Sequence, residues 1–569
     1  LFLTLISAII SITVNLTYLN IGIKNHFTEG YLYPNASSDP LFEKNDLDDN
    51  FQWVRRAYEN NSIFQLSANI FEIERENSKH FQSSRGLSYY MAGLSLSIFE
   101  ESINAVIFSK IFFLTISIFL FFKIINSYHK EISIKILIVC LSLIFATKLF
   151  GGVLNPFHYI EYFFQIKEFF MSRKIDRIPN ILVINIFVVG NFLLIKKYLE
   201  KKNNLIFLFC SLFLGISGFV TPIIFMIYTI IILIIEIHNF LKIKNLKIFS
   251  LKTLLLSGIF LPIMYFHVTN LNSINDDSLN SPQWAGNYLY DLEIFFGPLI
   301  LIFIFFYKKI KDFYLEIIYF AAQALLYIPS FFYDVYLASK INQNFVYLNA
   351  IISFSLLFKF FYMKKDINLK YLLILAVLCF VYLFTQHGIN IKIFLILILI
   401  PIFLLLNHFN EKKIVHFFLG LLSFFLLFNF SYNHYLKNEE ILSNISQRDL
   451  SQKKMIQFLN KKNYKNTYLS LDFGILKNVS IHTDKNVYFI NITNTNLTEK
   501  NLTNRFYDII YLYGFNVSDL QAYFEDIDLE YQEKIKKIAL TNLYHMQIHH
   551  KEKIIKKLLD GYKNYLSSN

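Results

Sequence analysis

Apolar runs of bilayer length recur along this chain, and the connections between them are alternately basic and non-basic. Ile391 to Leu406 is one such run, interrupted only by Lys392. A helix needs roughly 20 apolar residues to cross a bilayer. The chain has 569 residues, 54% of them hydrophobic, with 63 Phe and 37 Tyr, which is too apolar for a soluble globular protein of this length. The expected fold class is an all-α polytopic membrane domain followed by a small C-terminal α/β domain. The net charge of +12 at first suggests a nucleic-acid partner. The lysines fall mainly between the apolar runs, where they serve as membrane anchors, so no nucleic acid is expected.

Thirteen spans are predicted, at about 1–21, 104–124, 133–150, 180–196, 204–219, 221–240, 253–269, 292–307, 313–332, 345–363, 371–386, 389–407 and 414–431. If the first runs outward, every second connection is basic: Lys123, Lys130 and Lys135; Lys196 to Lys202; Lys242 to Lys252; Lys308 to Lys311; Lys364 to Lys370; Lys412 and Lys413. Cytoplasmic loops carry such an excess of lysine. Asp46, Asp48, Asp49, Asp276, Asp277, Asp291 and Asp334 fall on the other side. The segment 86–99, GLSYYMAGLSLSIF, is apolar but too short to cross, and counting it as a span would reverse the lysine bias after it. It is expected to lie flat on the outer face.

These considerations divide the chain into a transmembrane domain, 1–431, with a long first outer loop at 22–103, and an extracytoplasmic α/β domain, 432–569. The N-terminus is expected in the cytoplasm. An odd number of spans places the C-terminal domain outside, on the periplasmic or extracytoplasmic side of a bacterial inner membrane. In that domain 467–472, 487–492 and 508–514 read as strands, among helices at about 449–463, 517–526, 528–547 and 550–565. The sequence opens with Leu1 inside an apolar run, which reads as a fragment with its start missing; the run lacks a signal-peptide cleavage pattern. Cys140, Cys210 and Cys379 all sit in apolar spans and read as packed thiols rather than disulfides or metal ligands.

The first outer loop holds the chemistry. Asp46, Asp48 and Asp49 lie close together just before Asn50–Asn60, an expected amphipathic helix. Asp49 could cap that helix. One cap accounts for one carboxylate and not for three, and a carboxylate at the membrane face can act as a general base. Arg85, in the same loop, and the run Arg173, Lys174 and Arg177 are cations that could stabilise a leaving phosphate. The run could equally anchor in lipid headgroups. Trp284 could stack on a sugar or join the interfacial aromatic belt. Lys340, in a predicted outer loop against the lysine bias, could reach a lipid phosphate. His545, His549 and His550 read as a solvated helix face.

The outward first span and acidic first loop resemble the GT-C membrane glycosyltransferases. Asp49-x-x-x-Trp53-x-x-x-Ala57 is similar to their Asp-x-x-x-aromatic-x-x-x-small pattern, and Asp46-Leu-Asp48 to their Asp-x-Asp form. Ser84 to Gly93 looks like their second interfacial helix, with Arg85 in place of the usual Lys or His and without the following Pro pair. The thirteen spans and outer domain resemble the oligosaccharyltransferase catalytic subunits and the aminoarabinose and mannosyl transferases. The Trp-Trp-Asp motif that reads a peptide acceptor is absent, since the tryptophans are Trp53 and Trp284. The resemblance implies transfer, with inversion, of a sugar from a polyprenyl-phosphate-linked donor to a lipid, glycan or protein acceptor. It assigns the base to Asp49, with Asp48 next and Asp46 auxiliary. A second carboxylate could hold a divalent cation, Mg or Mn, on the leaving phosphate, though no spacing makes a complete metal site. Two rival readings share the many spans: a transporter or flippase of lipid-linked glycans, which should carry charges deep in its spans, and a non-catalytic cell-envelope scaffold.

Overall fold

The computed structural model describes residues 2–15, 86–99, 102–148, 182–271, 298–299, 302–303, 306–333, 335–363, 415–428, 447–461, 467–470, 479, 483, 485–488, 499–525 and 551–568. In chain order the main elements are α1 (Phe2–Val14), α2 (Gly86–Gly93, continued by a 3-10 turn at Leu94–Ser97), α3 (Ser102–Ile125), α4 (Ile132–Lys148), α5 (Leu182–Lys201), α6 (Asn204–Gly218), α7 (Pro222–Ile243), α8 (Leu246–Leu271), α9 (Tyr314–Tyr333), α10 (Val335–Met363), α11 (Val415–Phe428), α12 (Gln447–Asn460), β1 (Thr467–Tyr468), β2 (Asn486–Val487), α13 (Glu499–Leu512), α14 (Val517–Glu525) and α15 (Lys551–Ser568). They fall into two compact units. One comprises Leu1–Leu19, Ile107–Met264 and Trp284–Lys437; the other comprises Asn20–Val106, Tyr265–Gln283 and Asn438–Asn569.

The first unit is a helical membrane-type bundle. Four of its stretches are long and apolar enough to cross a bilayer: Ile107–Ile125, Leu182–Lys201, Pro222–Ile243 and Leu246–Tyr265, the last of which ends just past the unit. Asn203 caps α6 by accepting from Leu205 N–H at 2.8 Å. Pro222 opens α7, where a missing N–H costs nothing. Helix α7 stops at Lys244, which takes the left-handed conformation at φ 54°. Helix α10 packs against α4, α5, α7 and α9 and forms the centre. Helix α8 lies at the rim: only 11% of its apolar stretch is buried, against 56–61% for the other three. It approaches α6 through glycines. A Cβ on Gly218 would meet Ile263 Cγ2 at 2.7 Å, and one on Gly215 would meet Ile259 Cγ2 at 3.0 Å. Small residues that let helices come close are a membrane packing device.

The interior of this bundle is polar as well as apolar. Tyr319 donates to Asn349 Oδ1 at 2.8 Å, and Asn349 Nδ2 donates to Gln323 Oε1 at 2.8 Å, joining α9 to α10. Asn191 donates to Ser217 Oγ at 2.7 Å, and Tyr228 to the Val188 carbonyl at 2.6 Å. Paired this way, polar groups hold helices together in apolar surroundings without an unsatisfied cost. Cys140 and Cys210 are free and buried, as their apolar setting implies; Cys379 lies outside the described residues.

In the second unit β1 and β2 pair in parallel, Thr467 opposite Asn486. Helices α13, α14 and α15 pack beside one another. The third predicted strand is not one: 508–512 is the last turn of α13. Its Ile and Tyr residues favour strands when counted singly, but Phe506, Ile509 and Ile510 share one buried helix face. Gly514, at φ 76°, ends this helix. Its N–H reaches the Tyr511 carbonyl at 2.9 Å and the Phe515 N–H reaches Ile510 at 3.1 Å, a Schellman stop. Asn516 and Asp519 then cap α14 reciprocally, each side chain accepting from the other's backbone N–H at 2.9 Å.

Candidate functional site

The carboxylates and cations singled out in the sequence are mostly out of view. Asp46, Asp48, Asp49, Arg85, Arg173, Lys174, Arg177 and Trp284 lie outside the described residues, as do His545, His549 and His550. Lys340 corrects its prediction. It belongs to helix α10, which begins at Val335, rather than to a loop. The polar composition of 339–344 was read as a connection, but such residues are tolerated in a helix that packs at the centre of a bundle.

Beside Lys135, read in the sequence as a connection lysine and 6% exposed on α4, three more buried charged groups of the described bundle were missed. Lys110 on α3 is 1% exposed, Glu236 on α7 is 5% exposed and Glu316 on α9 is 4% exposed. The signal was available for Lys110 and Glu236, each a lone charge within an apolar run, and such residues mark functional or pairing positions in membranes; Glu316 follows Lys308 to Asp312 so closely that it reads as part of the connection.

Glu236 and Glu316 sit at the same end of the bundle, because α3, α5, α7 and α10 run towards it while α4, α8 and α9 start from it. The contacts below join the end of α5 to the starts of α8 and α9 and to the ends of α7 and α10. Among the described residues, the connections at 126–131, 244–245 and 306–313 therefore lie at one end of the bundle.

At Glu236 the arrangement is closed. Tyr198 of α5 donates to one carboxylate oxygen, and Asn239 donates to the same oxygen at 3.2 Å. Lys252 of α8 pairs with the other oxygen at 3.0 Å and donates to Tyr198 Oη at 2.5 Å. The Lys252 ammonium also lies 5.0 Å from the Tyr198 ring centre and 4.9 Å from that of Phe207. Buried charge here is neutralised within the cluster.

At Glu316 the arrangement is open. Tyr128, between α3 and α4, donates to the carboxylate. Burial, then the charge of Glu316 and this hydrogen bond, hold the Tyr128 hydroxyl well above its ordinary pKa, so it stays a donor. Lys196 of α5 and Lys359 of α10 reach the Tyr128 ring, 5.2 Å and 5.7 Å from its centre, and Lys359 also lies 4.9 Å from the Phe313 ring centre. Lys359 feels the like charges of Lys196 and Lys309 and the opposite charges of Glu316 and Asp312. Next to Tyr128, the buried His129 ring shares a hydrogen bond of 2.9 Å with the Ser355 carbonyl of α10. Burial lowers its pKa, with Lys359 and Lys135 acting in the same direction and Glu131 and the Ser355 contact opposing. Lys135 donates to Asn126 at 2.5 Å, and Ser133 bonds His416 of α11 at 2.8 Å.

Lys110 lies elsewhere, roughly four helical turns along α3 from the basic end. In the second unit a different carboxylate is surrounded by tyrosines. Asp508 accepts from Tyr488 at 2.6 Å and from Tyr565 at 2.5 Å, and Tyr507, Tyr562 and Tyr565 pack ring to ring. Burial first, then Asp508, raises the Tyr565 hydroxyl above its usual pKa. These bonds are fully used in fixing α13 against α15. Among the described residues no three His, Cys, Asp or Glu side chains converge as a metal site would require.

Comparison with protein-family models, with curated proteins and with solved structures gave no match to this chain.

Proposed function

We propose that the chain is a membrane glycosyltransferase of the GT-C type, working at the extracytoplasmic face of a bacterial inner membrane. It takes a sugar from a polyprenyl-phosphate-linked donor and passes it to an extracytoplasmic acceptor. Asp49 accepts the proton of the attacking hydroxyl, Asp48 is the next candidate, and Asp46 assists. The observation that carries the reading is the spacing Asp49, Trp53, Ala57 in a long acidic loop after the first apolar run. Two structural features support it. Within that loop, Gly86–Ser97 forms a helix and a 3-10 turn of about 18 Å at a helical rise, which is short of a bilayer's roughly 30 Å. The described stretch 86–99 of the first loop and the described part of the C-terminal segment also belong to one compact unit, as segments on one side of a membrane would.

Under this reading Arg85, Arg173, Lys174 and Arg177 are the candidate cations for the donor's phosphate.

The test is sugar transfer in proteoliposomes with a polyprenyl-phosphate sugar. Asp49→Asn should lower the rate by roughly 10²–10⁴-fold, the usual size of a general-base contribution, with unchanged amounts of inserted protein. Wild-type rates in both Asp49→Asn and Asp48→Asn would remove the carboxylates from the chemistry. The second reading is a transporter or flippase of lipid-linked glycans, favoured by the buried charges Lys110, Glu236 and Glu316. Movement of a labelled lipid-linked sugar across the vesicle, without transfer and abolished by Lys110→Met, would select it.

A further inference from the structure

We infer that Lys196 and Lys359, which meet over the Tyr128 ring, form with the neighbouring Lys309 a site for the phosphate of an anionic phospholipid headgroup at the basic end of the bundle. This inference does not depend on the glycosyltransferase reading.

The ring of Tyr128 collects two ammonium groups, those of Lys196 and Lys359, from two different helices. Like charges are drawn together here at a cost, since Lys196 and Lys309 both act on Lys359 as repelling neighbours. The nearby carboxylates offset only part of this. Asp312 is exposed, and Glu316 is already engaged by the Tyr128 hydroxyl. Neither Lys196 nor Lys359 forms an ion pair with Glu316 among the described residues, in contrast to the direct pair Lys252–Glu236. Glu131 and Asp312 are set against Lys130, Lys135, Lys308 and Lys311 on the same connections, so the local balance stays positive. Lys196 and Lys359 are also only half-buried, which leaves their ammonium groups within reach of a ligand. A phosphate group close to these lysines would screen their repulsion and accept charge-assisted hydrogen bonds from them.

The surrounding surface favours a lipid over a free phosphate. Basic pockets among helix ends at a membrane surface are characteristic headgroup sites. Ser133, close to Tyr128 in sequence, holds His416 at the start of α11. From there Phe417, Leu421, Phe424 and Phe428 form an exposed stripe at helical spacing, 64%, 48%, 66% and 47% exposed. Helix α11 thus starts at the same end of the bundle and offers an exposed apolar stripe to lipid acyl chains.

The experiment uses the full chain in neutral detergent micelles, with phosphatidylglycerol or phosphatidylcholine added at increasing mole fraction and binding read by native mass spectrometry. Wild type should hold phosphatidylglycerol and release phosphatidylcholine. Lys196→Gln with Lys359→Gln should weaken phosphatidylglycerol binding by roughly tenfold or more, the scale of two surface lysines acting on an anionic lipid. Lys196→Arg with Lys359→Arg should keep it, which separates charge from folding. Lys244→Gln with Lys247→Gln removes the same charge from exposed positions at the α7–α8 turn and should change binding less than threefold. Equal losses in the two Gln pairs, or no preference in wild type, would overturn the site. Displacement of the lipid by millimolar inorganic phosphate would overturn its assignment to a lipid.

Discussion

Glu236 and Glu316 each accept a tyrosine hydroxyl at the basic end of one bundle, but their lysines are held differently. Lys252 bonds Glu236 directly and Tyr198 as well, so charge and hydrogen bonds close on themselves. Around Glu316, Lys196 and Lys359 rest on the Tyr128 ring instead, and Lys359 feels two further lysines, Lys196 and Lys309, against the two carboxylates Glu316 and Asp312. The same residue types thus give a structural clamp in one place and a cation surplus in the other. Geometry accounts for the difference. Helix α8 follows α7 after a two-residue turn, so Lys252 is delivered beside Glu236, whereas Lys196 and Lys359 arrive from the far ends of α5 and α10 and meet over a ring. Breaking a closed pair strands a buried charge, while altering an open one changes what the site can hold.

The largest expected effect is therefore at the clamp. Glu236→Leu should leave Lys252 buried without its partner and destabilise the bundle by about 3 kcal/mol or more, read as thermal unfolding in detergent. Glu316→Leu should cost visibly less, because its lysines are half-exposed and can turn to water. Equal losses would show that the two clusters are not different in kind.

Gly218→Leu comes next. It drives a side chain into Ile263, where even a Cβ meets Cγ2 at 2.7 Å. Overpacking of this kind costs about 1–3 kcal/mol. Lys252 meets Phe207 about 16 Å further along the same α6–α8 seam, so a double-mutant cycle of Gly218→Leu with Lys252→Met should be additive, and coupling would show that the seam moves as one body.

The tyrosines give a smaller contrast. Tyr198→Phe removes a hydroxyl that serves both Glu236 and Lys252, for a loss of about 1–3 kcal/mol. Tyr128→Phe keeps the ring on which the two lysines rest, so binding of an anionic lipid should be nearly unchanged while stability falls by less. A larger loss for Tyr128→Phe would reverse the assignment of clamp and open site.

The smallest effect is the pH response of the open end. Burial depresses the His129 pKa in the folded chain below the ordinary 6.5 of the unfolded one. The unfolded chain then binds the extra proton more readily. Stability should be full above about pH 6.5 and decline as the pH falls from there towards the folded value. His129→Asn should flatten that slope in unfolding measurements across pH 5 to 7.5, and Lys252→Met should leave it in place.

The sequence alone determined the helical, membrane-type class of the molecule and the place of several described helices, since apolar runs of bilayer length must satisfy their backbone internally. The helices at 102–125, 182–201 and 222–243 begin and end within a few residues of their predicted limits because charge and polarity change abruptly there. The region at 508–514 was misread because periodicity over a few aromatic and β-branched residues does not separate strand from buried helix. What only the tertiary structure decided is which charges meet. Glu236 and Lys252 are near in sequence, and a careful reader could have paired them. Tyr128, Lys196, Lys309, Glu316 and Lys359 come from connections and helix ends far apart along the chain, and no local pattern encodes their meeting. Helix α10 packs against four neighbours at once, and that packing brings the end carrying Lys359 to the Tyr128 ring.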